Sequence, residues 1–351
     1  MNKILVTGGC GYIGSHTIVD LIENGYNPIC VDNNSRSTEA LLSGIKEITG
    51  VKVKNYKVDL ANFDETYAVF QENTDIKGII HFAAYKAVGE SVEQPLMYFE
   101  NNLFSLINIL KCAVEFNVPN FIFSSSCTVY GNPDSIPVTE ASATKPAESP
   151  YGATKQMGED IVKEITKSAG MRSILLRYFN PVGAHTTALI GELPLGKPQN
   201  LVPAITQTAI GKIKELTVYG DDYPTRDGSC IRDYIHVCDI AHAHTLALQY
   251  LINNKNQEKC EIFNLGTGDG VSTLEAIKAF EKITGKKLNY KIGPRRQGDV
   301  IAIYADNVLA KEKLNWNPQY SLNEMMATAW NWELKLHKDA ALHSNSNFQM
   351  N

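Results

Sequence analysis

Short apolar runs alternate with stretches of helical periodicity along the first half of the chain. Lys3–Thr7 (KILVT) is a β-branched run, and residues 12–24 repeat apolar side chains at helical spacing before Gly25. Residues 28–32 (PICVD), 53–58, 78–83 (GIIHFA) and 120–125 (NFIFSS) read as further strands. Helical patterns lie between them, including a long one over 91–116. Strands spaced by helices predict βαβ units and a parallel sheet. The two runs GIIHFA and NFIFSS are nearly all apolar, as strands covered on both faces should be.

The pattern changes after Asn180. Residues 181–236 carry Pro181, Pro194, Pro198, Pro203 and Pro224 with many polar turns. A helical stretch at 237–251 and a strand-like one at 261–265 then return to the α/β layer. The fold class expected is α/β. A doubly wound parallel sheet spans 1–180 plus about 237–265. A smaller mixed α/β lobe is built from about 181–236 plus 266–338. Residues 339–351 form a polar tail expected to fray.

Length and charge narrow the function classes. With 351 residues the chain can bury a core without disulfides or metal. Its net charge of −5 lacks the footprint of a nucleic-acid binder. No apolar run reaches the length of a membrane span, and MNKILVTGG meets glycine too early for a secretory signal. The 7 cysteines are scattered without CxxC spacing, which suits reduced thiols in a cytoplasmic protein. His242 and His244 are two apart and point to different faces of a helix, so no metal site is expected.

Chemistry first appears at Gly8-x-x-Gly11-x-x-Gly14, between the first strand and the first helix. Such a turn lets backbone amides and a helix N-terminus meet a pyrophosphate. The second strand ends at Asp32, whose carboxylate suits an adenosine ribose and would repel a 2′-phosphate. NAD is therefore the expected cofactor, with Arg36 nearby as the one contrary feature. Asp59 closes the third strand as either an adenine contact or a plain helix cap.

Tyr151 and Lys155 stand at i and i+4, one above the other on a helix. A tyrosine with its ordinary pKa of about 10 is a poor base at neutral pH. An ammonium beside it stabilises the phenolate, which then removes a hydroxyl proton. Of Ser124, Ser125 and Ser126 at the end of the fifth strand, Ser126 is the one expected to share that proton. The other two are expected to satisfy backbone groups.

The segments TGGCGYIGSH, HFAAYKAVGES, FIFSSSCTVYG, SPYGATK, LRYFNPVGAH, GDDYPTRDG, IRDYIHVCD, FNLGTG and RRQGD together resemble the UDP-glucose 4-epimerase family. These are extended short-chain dehydrogenases/reductases. The resemblance runs from about residue 2 to 335 and implies a Rossmann domain that retains NAD between turnovers. Tyr151 is then the base, assisted by Lys155 and Ser126. Implied cofactor contacts are Gly8, Gly11, Tyr12, Ile13, Gly14, Asp32, Asn33, Ser37, Asp59, Leu60, Phe82, Ala83, Lys86, Asn101, Ser124, Tyr151, Lys155 and Phe179. Implied UDP-sugar contacts are Lys86, Ser126, Tyr151, Asn180, Asn200, Leu201, Tyr219, Arg232, Arg296 and Asp299. The two arginines suit a diphosphate, and Tyr219 offers a face to uracil.

The resemblance further implies reversible C4 epimerisation of UDP-glucose and UDP-galactose through a transient 4-keto sugar, by a homodimer joined through the helices near 91–116 and 151–167. Three positions depart from the usual pattern: Gln297, Arg36 and Ile303. The last lines the sugar pocket and leaves tolerance of N-acetylated sugars open. A dehydratase of the same superfamily would need an acid–base pair after the active-site hydroxyl residue, where this chain has Cys127 and Thr128. A decarboxylase, a net dehydrogenase and a non-catalytic NAD-binding regulator are the remaining alternatives.

Overall fold

The computed structural model of the chain describes residues 1–194, 196, 198–296 and 300–348, with backbone alone from 343. The first half runs β1 (Lys3–Thr7), α1 (Tyr12–Glu23), β2 (Asn27–Val31), α2 (Ala40–Thr49), β3 (Asn55–Tyr56), α3 (Phe63–Glu72), β4 (Ile76–His81), α4 (Val88–Glu93), α5 (Pro95–Glu115) and β5 (Asn120–Ser124). A 3₁₀ turn over Cys127–Tyr130 leads to α6 (Pro150–Ser168) and β6 (Arg172–Tyr178). The second half contains β7 (Asn180–Val182), α7 (Leu201–Ala209), β8 (Leu216–Tyr219), β9 (Ile231–His236), α8 (Val237–Ile252) and β10 (Cys260–Leu265). It closes with β11 (Gly270–Ser272), α9 (Thr273–Thr284), β12 (Tyr290–Gly293), β13 (Ala302–Ile303), α10 (Val308–Leu314) and α11 (Leu322–Phe348).

Seven strands form one parallel sheet in the order β10-β6-β5-β4-β1-β2-β3. Side-chain alternation divides its two faces. Ile4, Val6, Cys30, Ile80, Ile122, Ile174 and Leu176 join a core with Ile18 and Leu21 of α1, Ile45 of α2 and Leu248 of α8. Their neighbours Leu5, Ile29, Val31, Ile79, Phe121, Phe123 and Leu175 join a second core with Phe70, Ile109 and Val162 of α3, α5 and α6. Apolar positions on both faces are what a central parallel strand requires. The strand order reverses between β1 and β4. A doubly wound sheet opens a crevice at such a switch point, beyond the carboxyl ends of its strands.

A smaller sheet, β11-β9-β13 with β7 on β9, and the parallel pair β8–β12 stand apart from the large one. Val182, Val202, Val218, Ile277, Phe280, Met326 and Trp330 pack with them in a third core.

Several expectations change. The helix expected over 91–116 is two helices, because Pro95 has no amide to continue α4 and starts α5 at its N1 position instead. The third strand has only two residues, so Asp59 lies beyond it and not at its end. Residues 308–316, placed in the smaller lobe, return to the large sheet: Ala310, Leu314 and Trp316 pack in its first core. The tail from 339 continues α11 as far as Phe348. No Gly or Pro interrupts that stretch, and Lys335 pairs with Asp339 one turn on.

Trp316 is fully buried, and its indole N–H donates to the Asp239 carbonyl at 2.9 Å. Trp316→Ala opens a large cavity and leaves that carbonyl without its donor, so it should cost about 3–5 kcal/mol. Urea unfolding of both proteins measures the difference.

Candidate active site

The glycine turn packs directly on the switch point. Gly8 has φ 66°, and a Cβ on it would lie 2.9 Å from the Ala83 amide nitrogen, two residues past β4. A Cβ on Gly14 would lie 2.3 Å from the Gly8 carbonyl oxygen. Only glycine lets strand, turn and helix approach this closely. No side chain caps α1 at Gly11, so the first amides of the helix remain available for an anion.

Asp32 follows β2 and accepts from the Cys10 amide at 3.1 Å, the Asn34 amide at 2.9 Å and the Ser37 hydroxyl at 2.7 Å. The turn is thus pinned to the carboxylate expected to read a ribose. Asn33 accepts from the Ser35 amide. Arg36, the one feature that could favour a 2′-phosphate, is engaged elsewhere. Its guanidinium donates to Glu90 at 2.8 Å and lies over the Tyr85 ring.

Asp59 accepts from the Ala61 amide, while Asn62 caps α3. The cap reading of Asp59 therefore fails. Leu60 is buried beside it. Thr7 accepts from the Ala83 amide, and Phe82 packs on the His244 ring. Asn101 donates to Asn102, which holds the Tyr85 backbone. Tyr12 donates to the Gly183 carbonyl at 2.5 Å and so reaches the second half of the chain, while Ile13 packs on the first core.

The Tyr/Lys pair occupies the next edge of the crevice. Ser149 caps α6 by accepting from the Gly152 amide, and Pro150 starts the helix. Tyr151 is thereby the second residue of a well-defined helix and Lys155 lies one turn on. Both are buried, at 8% and 5% exposure. Lys155 Nζ donates to the Ser124 carbonyl at 2.7 Å and lies 5.9 Å from the Tyr151 ring centroid. Burial pushes the Tyr151 phenol well above its ordinary range, Tyr178 adds to the rise, and the Ser126 hydroxyl opposes it. Burial also lowers the Lys155 ammonium to about 8, with Glu159 pulling it back up.

The expectation that Ser124 and Ser125 satisfy backbone groups is the one that changes. The Ser126 hydroxyl acts on Tyr151 and also accepts from the Thr128 amide at 3.2 Å. Ser124 bonds the Tyr178 hydroxyl at 2.7 Å, and Ser125 donates to Glu159 at 2.6 Å. The strand end points its side chains at partners from neighbouring elements, and these partners are invisible to local sequence reading.

The far side of the crevice comes from the second half. Phe179 and Ile303 pack with Val129 and Tyr130 in one cluster beside the 3₁₀ turn. Asn180 opens β7, and Asn200 precedes Leu201 at the start of α7. Arg232 lies on β9 and donates to the Ile231 carbonyl. Burial raises the Cys127 thiol, in the turn after Ser126, to about 12, and the charge of Arg232 opposes this. Arg296 lies over the half-exposed Tyr219 ring, 5.7 Å from its centroid. Asp299 lies outside the described residues.

Sequence reasoning missed Glu192. Its carboxylate accepts from Lys86 Nζ at 3.0 Å and Asn200 Nδ2 at 2.8 Å, so it ties the loop after β4 to the smaller lobe. No local spacing links these three residues. Glu159 was also missed, although its position one turn beyond Lys155 is readable. His242 pairs with Asp20, and His244 is buried against the Ile240 carbonyl.

Comparison with known proteins identifies the family. A family model described as GDP-mannose 4,6 dehydratase matches residues 5–329. The two positions after Ser126, Cys127 and Thr128, supply no acid–base pair of the kind a dehydratase needs. UDP-glucose 4-epimerase of Drosophila melanogaster is 48% identical over 337 residues, covering 94% of this chain and 96% of that protein. Its counterpart in Bacillus subtilis (strain 168) is 46% identical over 331 residues, covering 94% and 96%. The crystal structure of UDP-glucose-4-epimerase from Stenotrophomonas maltophila, with bound NAD and formylated UDP-arabinopyranose, superposes with a TM-score of 0.93 at 43% identity, covering 97% of this chain and 100% of that one. The Bifidobacterium longum enzyme in complex with NAD+ and UDP gives 0.91 at 44% identity, covering 95% and 98%. A crevice at the switch point, a glycine turn, a buried Tyr/Lys pair and this similarity over nearly the whole length place the chain in the UDP-glucose 4-epimerase family.

Proposed function

We propose that this protein interconverts UDP-glucose and UDP-galactose by reversible epimerisation at C4, using a retained NAD. The observation that carries the proposal is the buried Tyr151–Lys155 pair, with the Ser126 hydroxyl beside it, at the edge of the switch-point crevice. A phenol and an ammonium desolvated together are poor structural filler and a suitable proton-transfer pair.

The residues present fit NAD. Gly8, Gly11 and Gly14 leave backbone where a Cβ would collide or crowd, and the α1 amides face the crevice uncapped. Asp32 would meet the adenosine ribose, and the engagement of Arg36 with Glu90 favours NAD over its 2′-phosphorylated form. Asn33, Ser37, Asp59, Leu60, Phe82, Ala83, Asn101, Ser124 and Phe179 line the rest of the groove in this reading. When bound, NAD supplies an acceptor and donor of hydride at the sugar C4, and its oxidised ring carries a positive charge.

The chain's own groups handle the proton. Tyr151 Oη takes it from the C4 hydroxyl and later returns it. Ser126 bridges the same hydroxyl. Lys155 holds the phenolate against the rise that burial imposes. Arg232 and Arg296 neutralise the diphosphate, Tyr219 stacks on uracil, and Lys86, Asn180, Asn200 and Leu201 complete the described part of the substrate site. Binding is strong at UDP and loose at the sugar, so the sugar is free to present either face.

A homodimer is part of the same proposal. Val92, Leu96, Phe104 and Met157 expose apolar side chains on α4, α5 and α6, with Leu96 75% exposed. A row of apolar residues on adjacent helices suits a second copy of the chain. Location in the cytoplasm is proposed from the thiols: all 7 cysteines are free. Among the described residues no helix is long and apolar enough to cross a membrane.

Pure protein given UDP-galactose and no added NAD should form UDP-glucose without a net rise in NADH absorbance. Tyr151→Phe should lower turnover by about 10²–10⁴-fold while NAD stays bound. Unchanged turnover in that variant would remove Tyr151 as the base. The rate should also fall on the alkaline side as the Lys155 ammonium, lowered to about 8, loses its proton. In light scattering after gel filtration the parent should run as a dimer and Phe104→Glu as a monomer; a monomeric parent would remove the dimer.

A further inference from the structure

Helix α6 continues its catalytic face one turn further. Tyr151, Lys155 and Glu159 recur at i, i+4 and i+8, on one side of the helix. Glu159 is 2% exposed and Arg177 of β6 is also 2% exposed. The guanidinium binds the carboxylate in a fork, Nε to Oε1 at 2.8 Å and Nη2 to Oε2 at 2.6 Å. Arg177 also lies over the Tyr130 ring at 4.9 Å. Lys163 reaches the outer oxygen at 3.3 Å. Burial alone would raise the carboxyl; the hydrogen bond and charge of Arg177 outweigh it and hold Glu159 ionised.

Such a pair is a weak source of stability, since desolvation consumes most of the attraction. Its geometry suggests another role. Oε1 also accepts the Ser125 hydroxyl at 2.6 Å. Ser125 stands between two residues that serve the site: Ser124, whose carbonyl receives Lys155 at 2.7 Å, and Ser126, whose hydroxyl acts on Tyr151. Pinning the middle residue of this tripeptide fixes the backbone that presents both neighbours.

We infer that Glu159, held by Arg177, is a positioning residue of this active site: it anchors Ser125, and so sets where the Ser124 carbonyl and the Ser126 hydroxyl meet Lys155 and Tyr151, while balancing the Lys155 charge. The inference rests on the epimerase reading. The surroundings of Lys155 support the second part. On its own helix Tyr151 faces it and Glu159 stands one turn on, at i+4, and the Phe123 ring and Ser124 carbonyl face it from β5. From β4, His81 is pushed by burial and by Lys155 down to about 3 and is therefore neutral. Glu159 is the carboxylate whose charge opposes the lowering of the ammonium by burial.

Glu159→Gln alone would leave Arg177 charged and buried without its partner, and such a protein is expected to unfold readily. Two other variants avoid this. Ser125→Ala removes only the anchor, and Glu159→Gln with Arg177→Met removes both charges together. For each, kcat, KM for UDP-galactose, the pH profile and the melting temperature are measured beside the parent and Tyr151→Phe. Ser125→Ala should lose about tenfold in kcat through misplacement of the reacting groups, with KM unchanged. The doubly substituted protein should fold, lose kcat, and move the alkaline limb of its pH profile down by about one unit, because the opposite charge near Lys155 is gone. Variants that match the parent in kcat and pH profile, whatever their melting temperatures, would overturn the inference while leaving the epimerase reading intact. A parent that does not interconvert the two UDP-sugars would instead overturn that reading.

Discussion

Burying a phenol and an ammonium next to each other is costly for both. Desolvation raises Tyr151 and lowers Lys155, so each is driven toward its neutral form. Epimerisation needs the opposite: a phenolate that accepts a proton and a cation that holds it. Much of the local structure opposes the desolvation. The Ser126 hydroxyl draws the phenol down, the Ser124 carbonyl receives the ammonium, and Glu159 restores part of its charge. The oxidised nicotinamide ring adds a further positive charge when NAD is bound. The site is therefore poised by competition between burial and charge.

The fold supplies the place where that competition happens. Reversal of strand order between β1 and β4 opens the crevice, the glycine turn lets α1 point its amides into it, and β5 delivers three serines to its edge. The second half of the chain reaches the same crevice from outside the large sheet. Arg232, Ile303 and Asn200 come from separate segments; Glu192 joins Asn200 to Lys86 of the first half, and Tyr12 bonds the Gly183 carbonyl just after β7.

Periodicity and motif spacing made the parallel sheet, the glycine turn, Asp32 and the Tyr151/Lys155 pair legible, because each depends on residues close in sequence. What escaped depends on distant partners. Pro95 was visible, yet the apolar pattern across it looked continuous, so two helices read as one. Asp59 looked like a strand end because Val58 and Leu60 flank it, whereas the strand stops at Tyr56. Ser124 and Ser125 were expected to bond backbone, but Tyr178 and Glu159 reach them from a strand and a helix. Trp316 looked like part of the second lobe until its indole was placed against Asp239 under the large sheet. Glu192 had no signal of its own, since Lys86 and Asn200 are distant in sequence.

The central claim is that a neighbouring charge, and not exposure, makes Tyr151 a base. Titration of its phenolate absorbance in the NAD-loaded protein, with Tyr151→Phe subtracted, tests this directly. Repeating it in Lys155→Met isolates the ammonium. The account predicts that Tyr151 ionises below the ordinary tyrosine value of about 10 in the parent and above it in Lys155→Met. The same value in both proteins would contradict it.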